Sequence, residues 1–202
     1  MEFKDFPKMA RFSRDFIITE KIDGTNASIN ITNTNADTNP TDENIICRVN
    51  EFNIRAGSRT RWITPSNDNH GFANWVKNNC LDLVKLGEGN HFGEWWGSGI
   101  QRGYGLTKGE KRFSLFNAIR WNTEIRPSCC SVVPILASGN FDNINVTVEN
   151  AIYNLKTNGS AAVPRFMNPE GIVIFHIAAN IGFKKTLEKD ETPKSLYYKN
   201  KN

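Results

Sequence analysis

Apolar residues in this chain come in short runs, too short for most helices and well suited to strands. Residues 16–20 read as a strand end. Residues 26–31 alternate, with Ala27, Ile29 and Ile31 on one face. Residues 45–50, 91–96, 112–119, 132–137, 171–177 and 181–187 read as further strands. Only two stretches carry apolar residues at helical spacing. One is 71–83, with Phe72, Trp75, Val76 and Leu83; the other is 143–156, with Ile144, Val148, Ile152 and Leu155. Many strands with two helices predict an α+β fold, with antiparallel sheets flanked by helices. The polar stretch 32–44 reads as a hairpin loop, and the tail beyond Asp190 is polar and basic. With no internal repeat and no clear linker, 202 residues are expected to form one domain over 1–202.

Composition narrows the class. Charged residues make up 23% and hydrophobic ones 39%, which suits a soluble globular protein and excludes a disordered one. The formal net charge of +4 permits a polyanionic partner without demonstrating one. Cys47, Cys80, Cys129 and Cys130 contain no CxxC pair, and this suggests neither a zinc site nor a disulfide framework. His70, His91 and His176 are scattered, which argues against a histidine metal site. The first residues lack the apolar core of a signal peptide, and no segment approaches the ~18 apolar residues of a membrane span. A reducing, intracellular setting follows as the expectation: cytoplasmic, or host cytoplasm for a viral protein, with no membrane partner.

The chemistry is concentrated around Lys21. It ends an apolar approach (Phe16, Ile17, Ile18) and is followed by Asp23 and Gly24. An ordinary lysine titrates near ~10.4, so a nucleophilic one needs burial or neighbouring cations to become neutral. Lys184 and Lys185 are such cations if the fold brings them close, and Gly24 allows a tight turn. Taken alone, the segment equally describes a plain hairpin.

Five segments change the balance. EKIDGTN (20–26) resembles motif I of the covalent nucleotidyltransferases, in the form found in phage-type ATP-dependent RNA ligases. FGEWWGSGIQ (92–101) resembles motif III, FSLFNAI (113–119) motif IIIa, PEGIVIFH (169–176) motif IV and GFKKTLE (182–188) motif V. All stand in the family's order. The resemblance implies an adenylyltransferase domain of the ligase and capping-enzyme superfamily, ATP-grasp-like in fold. It also implies ATP and Mg²⁺ (or Mn²⁺) as cofactors, with RNA ends as partners.

On this resemblance Lys21 is the nucleophile that takes AMP from ATP as lysyl-AMP and releases pyrophosphate. Glu94 engages the ribose or the metal, and Glu170 places the metal. Phe116 stacks on the base, Glu20 meets the adenine edge, and Ile22 and Asn26 complete the nucleotide site. Asn26 is the form of this ligase group, where many DNA ligases have Arg. Motif V is usually Lys-x-Lys. Here Lys184 is the natural match, its partner two residues on is Thr186, and Lys185 is expected to point the other way on a strand. Arg59 is favoured for the ribose or the RNA end, with Arg55 as the alternative. Arg102 is a candidate for the triphosphate or the RNA backbone. A surface of Arg55, Arg59, Arg61, Arg102, Lys108, Lys111 and Arg112 would track phosphates. Asn117 stands where many relatives have Asp.

The expected activity is joining of 5′-phosphate and 3′-hydroxyl RNA ends, with a nicked duplex and a single strand both open as substrates. The expected agent is a monomer without a separate C-terminal OB or helical domain. The alternatives are a DNA ligase, a GTP-using capping enzyme and a non-catalytic nucleic-acid-end binder. Residues 122–163 carry no recognisable chemistry.

Overall fold

The computed structural model describes residues 3–35, 42–188 and 190. In chain order the first strands are β1 (Asp15–Lys21), β2 (Thr25–Asn33), β3 (Ile45–Val49), β4 (Phe52–Gly57) and β5 (Trp62–Ile63). Two short helices follow, α1 (Phe72–Asn78) and α2 (Cys80–Leu83), then β6 (Gly89–Gly97), β7 (Lys111–Leu115), β8 (Ser131–Val132) and β9 (Ile135–Asn140). Helix α3 (Ile144–Asn158) and strands β10 (Gly171–His176) and β11 (Ile181–Thr186) complete the order. The α+β expectation holds. Every pairing is antiparallel except the short parallel pair β7–β8.

The chain divides into two compact units, Met1–Lys21 with Pro134–Asn202, and Ile22–Val133. The first unit is a four-stranded sheet in the order β11-β10-β1-β9. Alternation along β1 and β10 sends Phe16, Ile18, Ile172 and Ile174 to one face, where they meet Ala151 and Leu155 of α3. Strand β1 lies inside this sheet, bonded on both edges as far as Thr19; Glu20 and Lys21 continue in the β10 ladder, and Glu20 N also donates to Pro134 O.

The second unit is a seven-stranded sheet ordered β3-β4-β2-β6-β7-β8, with β5 paired to β4. Ala27, Ile29 and Ile31 are buried as the alternation predicts. They share a core with Ile54, Leu83, Trp95 and Phe113. Phe72 and Trp75 of α1 pack with Trp95 and Phe113, with Phe72 centroids 5.4 Å and 5.1 Å from those two rings. Gly93 makes room for this: a Cβ there would lie 2.4 Å from Ser114 O and 2.6 Å from the Phe113 ring.

Three expectations give way. The helix over 71–83 breaks at Asn79, whose backbone (φ −117°, ψ 13°) is not helical. Its side chain bonds back to Trp75 O at 2.7 Å, a local competitor to the helical ladder. The strand over 132–137 is two strands, because Pro134 interrupts it: β8 joins one sheet and β9 the other. The strand over 112–119 stops at Leu115. Residues 36–41 of the polar loop and the tail from 191 lie outside the described residues.

The cysteine expectation also fails. Cys47 of β3 and Cys80 of α2 form a disulfide, with Cα atoms 6.6 Å apart. They come together because α2 packs over β3 in the core of the second unit, a pairing that a 33-residue separation does not signal. Cys129 and Cys130 remain thiols. A loop of that length restricts the unfolded chain by about 3.7 kcal/mol. Reduction is therefore expected to lower the urea-unfolding stability by about that much. Equal midpoints with and without a thiol reductant would refute the bond.

Candidate active site

In the first unit, β1 ends at the chemistry. Lys21 lies opposite Gly171 in the β1–β10 ladder, and its Nζ pairs with Glu170 Oε2 at 2.5 Å. Glu170 is 3% exposed, so this is a carboxylate largely withdrawn from water. Gly171 lets the third strand close in: a Cβ there would sit 2.2 Å from Lys185 O. The register settles the motif V lysines. Lys184 lies opposite Val173, which lies opposite Thr19, and this parity places Lys184 on the face that Lys21 occupies. Lys185 is in line with Ile172 and Glu20, on the other face, and its Nζ lies 3.6 Å from Asp190 Oδ2. Thr186, in line with Gly171 and Lys21, donates its hydroxyl to Glu188 O.

Glu20 faces away from Lys21 and is 1% exposed. Its Oε2 accepts from the backbone amides of Ala161 and Ala162 at 2.8 and 2.9 Å. Burial pushes the Glu20 carboxyl above its ordinary range, against the opposing pull of the Ser160 hydroxyl and the two amides. Its Oε1 is buried and has no hydrogen-bond partner among the described residues.

In the second unit, Glu94 of β6 lies opposite Asn26 of β2. Glu94 Oε1 accepts from Gly24 N at 3.1 Å, and Oε2 accepts from Asn26 Nδ2 at 2.9 Å. Asn26 Oδ1 in turn accepts from Arg59, through Nε at 2.7 Å and through Nη2. The run Arg59–Asn26–Glu94–Gly24 has one possible polarity. Its ends are donors only, so Glu94 must accept twice. Gly24 itself is hemmed in, since a Cβ there would lie 2.5 Å from Trp95 O.

Tyr104, which sequence reasoning missed, and Arg102 hold the same loop. Asp23 N donates to Tyr104 Oη at 3.0 Å, and Asp23 Oδ2 pairs with Arg102 Nε at 3.2 Å. Tyr104 is fully buried, edge-on to Trp96 at 5.2 Å. The only signal in the sequence was the aromatic set between two glycines in 103–105. Ile22 is buried. Phe113 is core, while Phe116, just past β7, is 43% exposed.

Several candidate cations are already committed. Arg55 is buried and bonded to Asp42 (2.8 Å) and Thr32 (2.8 Å), so it is a structural arginine rather than a ligand for RNA. Arg102 serves Asp23, Arg112 pairs with Glu110 at 2.6 Å, and Lys111 donates to His70 O. Arg61 donates to Trp62 O and Asn67 O. The expected phosphate-tracking surface is therefore largely tied up within the protein. No group of three Asp, Glu, His or Cys side chains gathers among the described residues.

The sheets, and a lysine on a β1–β10 ladder beside an acid, define a nucleotidyltransferase-type fold. The RNA ligase family model matches residues 14–186, and the chain belongs to that family. Three solved structures of Naegleria gruberi RNA ligase share the fold. A variant with ATP and Mn aligns at TM-score 0.53 and 18% identity over 90% of this chain and 53% of that one. The form with PPi aligns at 0.52 and 18%, over 94% and 52%. A variant with AMP and Mn aligns at 0.51 and 17%, over 89% and 53%. The chain thus spans about half the length of these structures. No curated protein sequence matches it.

The polarity of the Glu94 run yields a prediction. Glu94→Gln sets an N–H against another donor and should cost about 1–3 kcal/mol of unfolding free energy. Adding Asn26→Asp restores an acceptor at each contact, because the introduced carboxylate accepts both from Arg59 and from the introduced amide. The double variant should recover most of the loss in a denaturation-based double-mutant cycle. Additive losses would refute the assigned polarity.

Proposed function

We propose that this chain is an ATP-dependent RNA ligase that joins 5′-phosphate and 3′-hydroxyl ends through lysyl-AMP and RNA-adenylate. The observation that carries the reading is the Lys21 amine held against the buried Glu170 carboxylate at the end of β1. Lys21 Nζ attacks the α-phosphorus of ATP. A P–N bond forms, the α–β anhydride bond breaks and pyrophosphate leaves with its electron pair. The attacking amine must be neutral, and Glu170 Oε2 at 2.5 Å is the nearest acceptor for its proton. The RNA 5′-phosphate then takes the AMP from Lys21, and the 3′-hydroxyl displaces it.

Lys184, on the face Lys21 occupies, neutralises charge on the phosphates; Lys185, on the opposite face, does not share this role. Glu94 fixes the ribose, with Asn26 and Arg59 orienting it. Phe116, half exposed at the end of β7, stacks on the base, Ile22 packs beside it, and Glu20 reads its edge. Glu170 is the carboxylate that would hold Mg²⁺ or Mn²⁺, with Glu94 as the second acid assigned to the metal. A hard oxygen donor suits these ions, and Mg²⁺ needs few protein ligands. When bound, such an ion neutralises phosphate charge.

On this reading residues 1–202 form a single adenylyltransferase domain that acts as a monomer on RNA ends, nicked duplexes included. The setting proposed is cytoplasmic, where Cys47–Cys80 would be kept reduced. No helix among the described residues is long and apolar enough to cross a membrane.

With α-labelled ATP and Mg²⁺ the protein should acquire covalent label. Lys21→Ala should abolish it, and Glu170→Ala should slow it by about a hundredfold, the scale of a lost proton acceptor. Label should pass to 5′-phosphorylated RNA in preference to nicked DNA. An unlabelled wild type, or label that survives Lys21→Ala, sinks the reading.

A further inference from the structure

Within the second unit, strand register extends the Asn26 face of the sheet to a tryptophan. Ser28, two residues after Asn26, lies opposite Gly57 of β4, and Gly57 lies opposite Trp62 of β5. Residues in line across strands share a face, so Trp62 stands on the face that carries Asn26 and Glu94. The other face is core: Ile29, Ala56 and Ile63 are in line there and buried. Gly57 leaves the room. A Cβ there would lie 2.5 Å from Ser28 Oγ and 3.5 Å from the Trp62 ring, so the indole rests along the glycine backbone. Trp62 is nevertheless 43% exposed, whereas Trp95 and Trp96 are buried.

Trp62 lines a cleft of about 480 Å³, a volume usual for small-ligand sites. Its other walls are mostly polar: Glu43 and Asn44 from one segment, Thr64, Ser66 and Asn67 from the turn after β5. Both walls are fixed. Arg55 Nε holds Asp42 Oδ2 at 2.8 Å, and Asp42 Oδ1 accepts from Asn44 N at 3.0 Å and Nδ2 at 2.7 Å. Arg61 Nη1 donates to Trp62 O at 3.4 Å and Asn67 O at 3.3 Å, and Asn67 N donates to Thr64 O at 3.0 Å. An exposed indole offers a face for stacking, and the amides, hydroxyls and carboxylate around it suit the donors and acceptors of a base edge. Glu43 makes the cleft unsuited to a phosphate. Two strand spacings, about 10 Å, separate the Trp62 and Ser28 backbones, so an RNA end at Asn26 would have a nearby base within reach. We infer that this cleft is a subsite for one unpaired base of the RNA, stacked on Trp62 a few nucleotides from the end being joined. This rests on the ligase reading and adds a contact to the bases of the substrate.

The test is RNA binding by the full chain without ATP, followed by fluorescence anisotropy. Short single-stranded RNAs ending in 5′-phosphate or in 3′-hydroxyl are used intact and with one abasic nucleotide moved stepwise from that end. At one position the abasic nucleotide should weaken wild-type binding about tenfold, the scale of one stacked base. That penalty should persist as salt rises, because stacking releases no counterions. Trp62→Ala should weaken the intact RNA by a similar factor and lose the sensitivity at that position, whereas Trp62→Phe, which keeps an aromatic face, should retain both. If Trp62→Ala does not fold, Trp62→Leu takes its place. A flat abasic scan, or a Trp62→Ala or Trp62→Leu variant with the wild-type pattern, overturns the inference. Labelling with ATP is measured separately. A wild type that takes label at Lys21 yet gives a flat scan, or binds neither RNA, overturns the inference alone and leaves the ligase reading standing. One that takes no label removes that reading, and the inference with it.

Discussion

Side chains on a strand alternate, and at the end of β1 that alternation separates two acid–base environments one residue apart. Lys21 points to one face, where Glu170 receives it; Glu20 points to the other, where two amides receive it. Neither arrangement survives a register slip, because a shift by one residue would exchange the faces. The ladders on both edges of β1 therefore do more than build a sheet. They decide which group meets which partner, and the other residues of this unit are arranged around that decision.

The arrangement around Glu20 has an energetic consequence. Its carboxyl is raised above the ordinary value of 4.5 by burial, so the folded protein binds its proton more tightly than the unfolded chain does. Its contribution to stability is present below that ordinary value and is lost as pH rises through the raised one. Near neutrality the site is thus a net cost to the fold, reduced by the amides and hydroxyl of the 159–166 loop. A carboxylate kept in such a position is better explained by what it contacts than by what it stabilises.

Much of this was readable in the chain, and the failures have physical reasons. Alternation in β2 placed Ala27, Ile29 and Ile31 in the core, and the two-residue period in motif V separated Lys184 from Lys185. Arg55 could not be told from Arg59, because its partner Asp42 lies in a polar loop with no pattern pointing to it. The reading of 132–137 as one strand passed over Pro134, whose two sides join different sheets. The clamp on Glu20 was invisible because it consists of the backbone of two alanines. Cys47–Cys80 was missed because disulfide pairing follows tertiary proximity, which spacing alone does not report.

The order of strands in the first sheet bears on how the protein is made. Strand β1 emerges from the ribosome before both its neighbours, β9 and β10, which lie beyond the whole of the second unit. Translation must add residues 22–133 before the first of them is available, and that segment can complete its own core meanwhile. Until then Phe16, Ile17 and Ile18 travel as an unpaired apolar edge, the kind of surface that chaperones bind and aggregates recruit. The strand that ends at Lys21 thus waits longest for its partners within the first unit, and slow or interrupted elongation would be felt there.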